Sequence, residues 1–329
     1  MFAVIMTETG GPEVLQYAEI DTPEAGPGEI RIRVAYAGVN PADWKNRQGM
    51  LAAFRPYYFP YVLGFDAAGV VDQLGEGVEG FVPGDRVFTP TNHGQGAQGS
   101  YAEYVIASAG RVAHVPTGLG FAEAAALPVA ALTAWQGLCV RGELKAGERV
   151  LIHGGSGGLG GFAVQFARRA GARVAATCST PNRGYLRDLG VERVIDYRTE
   201  DVSGAVAGWA PGGVDYLMDT VGVSTLPDGL DLVRSGGTYV SIPTLVDDGD
   251  IPAAAAAAAA KGVERVFSMM SDTDCGPTLA MIGDLLAAGH VKLPQMREFE
   301  LRDAAAAHRA IQTGHTRGKI VLRVADLDG

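Results

Sequence analysis

The stretch "VLIHGGSGGLGGFAVQFARR", Val150 to Arg169, constrains this chain more than any other. Six of the eight residues from Gly154 to Gly161 are glycine; Ser156 and Leu159 are the exceptions. Each glycine costs ordering entropy on folding, so a run of them persists where the main chain must lie bare. The run sits between an apolar segment that reads as a strand and a pattern with helical spacing. Gly155, Gly157 and Gly160 satisfy G-x-G-x-x-G in the strand–turn–helix context that gives the motif meaning. Glycines there permit a tight turn, close approach of the backbone to a pyrophosphate, and close helix–strand packing. The helix N-terminus adds N–H donors and a positive partial charge. The backbone from Gly155 to Gly160, through Ser156, Gly157, Gly158 and Leu159, is expected to cradle a dinucleotide phosphate.

The next strand bears on which dinucleotide. Sites for NAD usually place an Asp or Glu about 20 residues beyond the motif, on the ribose hydroxyls. This strand ends "ATCSTPNRG", with no acid from Ala175 to Tyr185. Ser179, Thr180 and Arg183 offer hydroxyls and a guanidinium, which suit a 2′-phosphate that an Asp would repel. The expected cofactor is NADPH.

A length of 329 residues suits about two domains. Up to about Gly118 the chain alternates short apolar runs with turn residues. "EIRIRVAYAGV" has the period-two alternation of a strand, and "AAGVVDQLG", "GDRVFT", "GSYAEYVIA" and "GRVAHVP" read likewise. From Ala122 the rhythm changes. "AEAAALPVAALTAWQGL" reads as one long helix despite Pro128. Strands and helices then alternate as in βαβ units with a parallel sheet. In that series "LPDGLDLVRSG" reads as a helix and "VERVFSM" as a sixth strand. "IPAAAAAAAAKG" reads as a surface helix without chemistry, since alanine favours helix. "PTLAMIGDLLAAG" and "RDAAAAHRAIQTG" read as helices and "GKIVLRV" as a closing strand. The reading is α/β: a β-rich domain of residues 1–121 and 291–329, with a nucleotide-binding domain of residues 122–290 inserted in it.

Composition excludes several functions. A formal net charge of -10 and the lack of a Lys/Arg cluster argue against nucleic acid. The three cysteines, Cys139, Cys178 and Cys275, fit neither a disulfide framework nor a zinc knuckle. No apolar run spans a membrane, and the N-terminal segment lacks the pattern of a secretory signal. Cytoplasm is the expected compartment.

The segments "GVNPADWKNRQG", "LGFDAAGVVDQLGEGV", "PGDRVF", "GSYAEYV", "ALPVAALTAWQGL", "VLIHGGSGGLGGFAVQFAR" and "GKIVLRV", in this order, resemble the medium-chain dehydrogenase/reductase superfamily. Within it the chain is similar to the zinc-free quinone oxidoreductases that include zeta-crystallin, over nearly its whole length. The resemblance implies a GroES-like catalytic domain, a Rossmann domain, an active site between them and a homodimer. It also exposes a departure. Asn40 stands where zinc-dependent relatives carry a Cys, and Phe65–Asp66 where they carry His–Glu. Zinc needs about four N, S or O ligands, and the soft ones are missing, so no metal is expected.

By the same resemblance Asn40 and Asp43 are candidate acceptor-side residues, and Thr133, Tyr197 and Lys319 lie near the cofactor. Tyr57 and Tyr58, in the aromatic loop "FRPYYFPY", could stack on a flat acceptor or donate a proton. The function expected is hydride transfer from NADPH to a small quinone or related electron-poor carbonyl or alkene. Two alternatives stay open: an enoyl reductase acting on α,β-unsaturated thioesters or ketones, and a non-catalytic NADPH-binding sensor or structural protein.

Overall fold

The computed structural model describes residues 1–52, 56–91, 99–242, 251–267, 274–314 and 316–327. The chain forms two compact units, Met1–Leu132 with Ser271–Gly329, and Thr133–Met270.

The first unit opens with β1 (Phe2–Met6), β2 (Gln16–Glu19), β3 (Glu29–Val39), α1 (Pro41–Arg47), β4 (Tyr61–Val62), β5 (Asp66–Leu74), β6 (Arg86–Pro90), β7 (Tyr104–Ser108) and β8 (Ala113–His114). The alternation in β3 explains its place at the centre. Ile30, Ile32 and Val34 point into a core with Val71, Val87, Val105 and Ala107, while Arg31 and Arg33 point away. β3 pairs antiparallel with both β5 and β7. Two helices follow, α2 (Phe121–Ala125) and α3 (Pro128–Trp135). The single helix expected across residues 122–138 is therefore broken. Pro128 lacks an N–H and drives Leu127 out of helical conformation. It then serves as the first residue of the next helix, where no donor is needed. The chain leaves α3 through a wide π-type segment, Gln136–Arg141.

The second unit contains β9 (Arg149–His153), α4 (Gly158–Arg169), β10 (Arg173–Cys178), α5 (Arg183–Asp188), β11 (Arg193–Asp196), α6 (Val202–Trp209), β12 (Val214–Asp219), β13 (Val233–Ser241), α7 (Ile251–Lys261) and β14 (Glu264–Phe267). Its six strands are all parallel, in the order β11-β10-β9-β12-β13-β14. Counted from β9 this is 3-2-1-4-5-6, the doubly wound Rossmann order, which reverses beside the first strand. Strands covered on both faces read as continuous apolar runs, as in Val150, Leu151 and Ile152, all with no exposure. One expected helix is absent. In "LPDGLDLVRSG" only Gly229–Leu232 winds, as a 3-10 turn, and Val233 already belongs to β13. Pro227 and Gly229 are poor helix formers, and Val233 gains a pairing with Val214 and a place in the core. The sixth strand is present through Phe267; the last residues of "VERVFSM" lie outside the described residues.

The chain then returns to the first unit with α8 (Gly276–Ala287), β15 (Met296–Glu300), α9 (Ala304–Gln312) and β16 (Lys319–Arg323). Gly283 of α8 lies against Pro116 and Phe88, and Gly276 against the carbonyls of Gly110 and Val112. That packing puts α8 with the β-rich unit. The two units thus take the chain at other points than the expected 121/122 and 290/291. β16 pairs antiparallel with β3, setting Ile320 beside Val39, and β15 pairs parallel with β16. The fold is a GroES-like β-rich unit with a Rossmann unit inserted in its chain.

Candidate functional site

The glycine turn joins β9 to α4 in the second unit. Gly154 turns the chain with φ +84, and its N–H donates to Thr177 Oγ1 at 2.9 Å. Thr177 Oγ1 is 2.9 Å from His153 Nδ1, and His153 Nε2 is 2.9 Å from Thr225 Oγ1. Three residues of separate elements thus clasp the base of the turn. Burial lowers the imidazole's affinity for a proton, against the pull of Asp219. The three motif glycines are bare for different reasons. A Cβ on Gly155 would stand 2.7 Å from Ala176 Cβ, and one on Gly160 would collide with Gly154 O. Gly157 is different: its Cβ would meet nothing nearer than Gly154 O at 3.4 Å. Its side is open, as a backbone surface waiting for a phosphate must be. Gly157 is also the N-cap of α4, whose first N–H groups have no partner within the helix. The cradle fits a pyrophosphate.

Beyond β10, Ser179 and a 3-10 turn, Thr180–Asn182, lead into α5 at Arg183. Asn182 Nδ2 lies 3.2 Å from both Ser156 Oγ and Ser179 Oγ, tying this turn to the glycine loop. Arg183 Nε is buried and has no hydrogen-bond partner among the described residues. A buried guanidinium donor left unpaired is costly, and a phosphate oxygen would complete it. Tyr197, just past β11, is 46% exposed, and its backbone N–H donates to Cys178 O. Thr133 is buried in α3.

The first unit carries a second polar cluster, and strand register assembles it. β16 beside β3 brings Lys319 to Asn40, and β5 on the other side of β3 places Asp66 opposite Gly38. Lys319 Nζ donates to Asn40 Oδ1 at 2.7 Å and lies 3.5 Å from Asp66 Oδ2. Asn40 Nδ2 donates to Asp66 Oδ2 at 2.7 Å, and Val129 N–H to Asp66 Oδ1 at 2.8 Å. Lys319 therefore groups with Asn40, in the unit that does not hold the glycine loop. Burial pushes the Asp66 carboxyl upward, opposed by Lys319 and Asn40.

Asn40 is the N-cap of α1, and Asp43 reaches back to it: Asn40 N–H donates to Asp43 Oδ2 at 2.7 Å. Asp43 Oδ1 accepts from Gly64 N–H at 3.1 Å. Gly64 has φ +109, and a Cβ there would crowd Tyr101 and Ser100, so only glycine presents its N–H this way. Asp43 has no exposure. Burial drives its carboxyl up to about 8, against the donors Asn40 and Gly64 and the charge of Lys319.

The tyrosines of the aromatic loop part ways. The Tyr57 hydroxyl lies 2.7 Å from both Asn46 O and Asn46 Oδ1, sharing its one hydrogen between them, and the ring packs on Phe59 and Tyr61. Tyr58 is 65% exposed. Sequence reasoning did not single out Asp66, Arg47, Tyr101 or His308 as members of this polar interior. For Asp66 and Tyr101 the signal is that "LGFDAAG" and "GSYAEYV" set a charged or phenolic group inside otherwise apolar strand-forming runs; Arg47 and His308 carry no such signal.

These residues do not fit a metal. The ammonium of Lys319 already stands against Asn40 and Asp66. Among the described residues no three His, Cys, Asp or Glu side chains converge to hold an ion.

A Rossmann sheet inserted in a β-rich unit, with a glycine turn built for a pyrophosphate, defines a nicotinamide-dependent dehydrogenase or reductase of two-unit architecture. The family model described as alcohol dehydrogenase GroES-like domain matches residues 26–117, and that described as zinc-binding dehydrogenase matches residues 189–322. The mitochondrial NAD(P)H oxidoreductase RTN4IP1 of Homo sapiens is 32% identical over 331 residues, covering 91% of this chain and 82% of the relative. The quinone oxidoreductase from Coxiella burnetii superposes with a TM-score of 0.88 at 32% identity, over 99% of each chain. The CurK enoyl reductase superposes with a TM-score of 0.86 at 26% identity, over 98% of this chain and 99% of that one. The chain belongs to the medium-chain dehydrogenase/reductase superfamily, among its zinc-free, quinone-oxidoreductase-like members. It is an NAD(P)H oxidoreductase, which removes the reading as a non-catalytic binding protein.

Proposed function

We propose that the chain is an NADPH-dependent reductase that passes hydride to a quinone or a related electron-poor carbonyl or alkene without a metal. The observation that carries the cofactor choice is the buried Nε of Arg183, without a hydrogen-bond partner among the described residues, beside Ser179 and Thr180 on a turn that lacks an acid. Gly155 to Gly160 hold the pyrophosphate, and Thr133, Tyr197 and Lys319 are further cofactor candidates carried by resemblance. NADPH supplies the hydride when bound. On the acceptor side, Asn40 spends one Nδ2 hydrogen on Asp66 and keeps the second for an acceptor oxygen. Tyr58 offers an exposed ring for a flat acceptor, and Tyr57, committed to Asn46, supports that loop.

Arg183→Ala tests the cofactor reading. Loss of a charge-assisted phosphate contact should weaken NADPH by about 10- to 100-fold and leave NADH nearly unchanged. Equal losses for both coenzymes would refute it.

One observation favours the enoyl-reductase reading. Burial pushes the Asp43 carboxyl up to about 8, toward the protonated form, and reduction of an α,β-unsaturated thioester needs an acid for the α-carbon. A panel of quinones and crotonyl-type thioesters separates the two: turnover confined to quinones supports the first. Among the described residues no helix is long and apolar enough to cross a membrane. The three free cysteines suit a reducing compartment such as the cytoplasm. β14 leaves one edge of the six-stranded sheet open among the described strands, the edge a homodimer would use.

A further inference from the structure

The sheet order reverses between β9 and β12, and one side chain spans that point. In a doubly wound sheet the crevice there, at the carboxyl ends of the strands, is where ligands bind. His153 ends β9, and register sets it beside Asp219, the last residue of β12. The glycine turn departs from His153, and the loop 220–225 departs from Asp219. Thr220 Oγ1 donates to His153 O at 2.6 Å. A Cβ on Gly154 would stand 2.6 Å from both Thr220 Oγ1 and Val221 Cγ2, so the loop lies directly on the turn. The buried His153 ring reaches both ways. Its Nδ1 is 2.9 Å from Thr177 Oγ1 of β10, and its Nε2 is 2.9 Å from Thr225 Oγ1 of the loop.

Counting donors orients the ring. Thr225 Oγ1 donates to Gly222 O at 2.8 Å. A hydroxyl has one hydrogen, so Thr225 accepts from His153 Nε2. Burial disfavours a charge on this imidazole, although Asp219 favours one. A neutral imidazole carries one N–H, which leaves Nδ1 to accept from Thr177. Thr177 Oγ1 in turn accepts from Gly154 N–H at 2.9 Å. The line runs from Gly154 through Thr177, His153 and Thr225 to Gly222, and every hydrogen in it has an acceptor. Its far end is anchored as well. Asp219 Oδ1 accepts from Val221 N–H at 3.0 Å and from Gly222 N–H at 2.9 Å.

We propose that His153 is a positioning residue for the coenzyme: as its Nε2–H tautomer it straps the glycine turn to the loop after β12, so that a change in the loop is felt at the phosphate cradle. The inference rests on the reading of that turn as the pyrophosphate site. Thr177 has no exposure, whereas Thr225 is exposed. Thr225→Val therefore removes the loop's hydroxyl without opening the core. His153→Leu keeps bulk in the core and removes both ring bonds. His153→Gln supplies a carbonyl that can accept and an amide that can donate, as the imidazole does.

The experiment measures NADPH affinity by calorimetry in these three variants and in the double variant His153→Leu/Thr225→Val. His153→Leu should weaken NADPH about tenfold. Thr225→Val should weaken it by about three- to tenfold. The double variant should be no weaker than His153→Leu alone, because both changes open the same strap. His153→Gln should recover most of the affinity. Losses that add in the double variant overturn the strap. A residue that only holds the fold would lower the unfolding midpoint and leave the affinity of the folded chain unchanged; that pattern in His153→Leu also overturns it. Gly157→Val separates the premise from the inference. Normal NADPH affinity there removes the pyrophosphate reading and the proposal with it. Lost affinity there beside normal affinity in His153→Leu sinks the strap alone. One readout needs no coenzyme. Imidazole ¹⁵N shifts should show His153 as the Nε2–H tautomer from about pH 7 to 9, and the Nδ1–H tautomer or an imidazolium overturns the proposal.

Discussion

Asp43 and His308 are perturbed in opposite directions, and the consequence is a stability that depends on pH. Asp43 rises from its ordinary 3.8 to about 8 in the folded chain. Between those values the folded state holds a proton that the unfolded state has released, so stability falls as pH rises through that window. His308 falls from 6.5 to about 3. Between those values the unfolded state holds the extra proton, so stability falls as pH drops. The two effects oppose each other from about pH 4 to 6.5, and only Asp43 acts from 6.5 to 8. Denaturant unfolding should show the chain losing up to about 2 kcal/mol from pH 6.5 to 8, at about 1.4 kcal/mol per pH unit for one proton. A flat or rising curve there would contradict a buried, proton-holding Asp43. None of this was legible in the sequence at the residue scale. Asp43 and Asn40 were reached by resemblance, and Lys319, 279 positions from Asn40, was expected beside the cofactor. Side chains so far apart in sequence meet only through strand register, which no local pattern displays.

Local pattern does display elements. β3 appears where its alternation puts it, because a two-residue period leaves one face to bury. The same logic misled at two points where a local breaker outweighed apolar content: Pro128 divided one expected helix, and Pro227 with Gly229 prevented another. The turn between β9 and α4 was readable in full, since its demand for bare backbone is met within eight residues. It carries a prediction of its own. Gly157 has φ -73 and ψ 171, an ordinary conformation for any residue, and there is room beside it. Gly157→Val should therefore fold with a thermal midpoint near that of the wild type. Its branched side chain would occupy the phosphate's place, and NADPH affinity should fall by about 100-fold or more, some 2.7 kcal/mol. Normal NADPH affinity in this variant would show that the phosphate lies elsewhere.

Taken whole, the chain divides its labour between two units. The inserted Rossmann unit was legible from the alternation of strands and helices, and its strand order follows from right-handed crossovers on a sheet that begins at β9. The limits of the units were less so. The expected limits place α8 in the nucleotide-binding domain, yet Gly276 and Gly283 let it lie against the β-rich unit, a fit that depends on Phe88, Gly110, Val112 and Pro116. The most direct measurement of the central claim is calorimetric titration of the purified chain with NADPH and with NADH. Saturable uptake of about one NADPH per chain, tighter than any uptake of NADH, is the predicted result. Heat that never saturates with either coenzyme would contradict it.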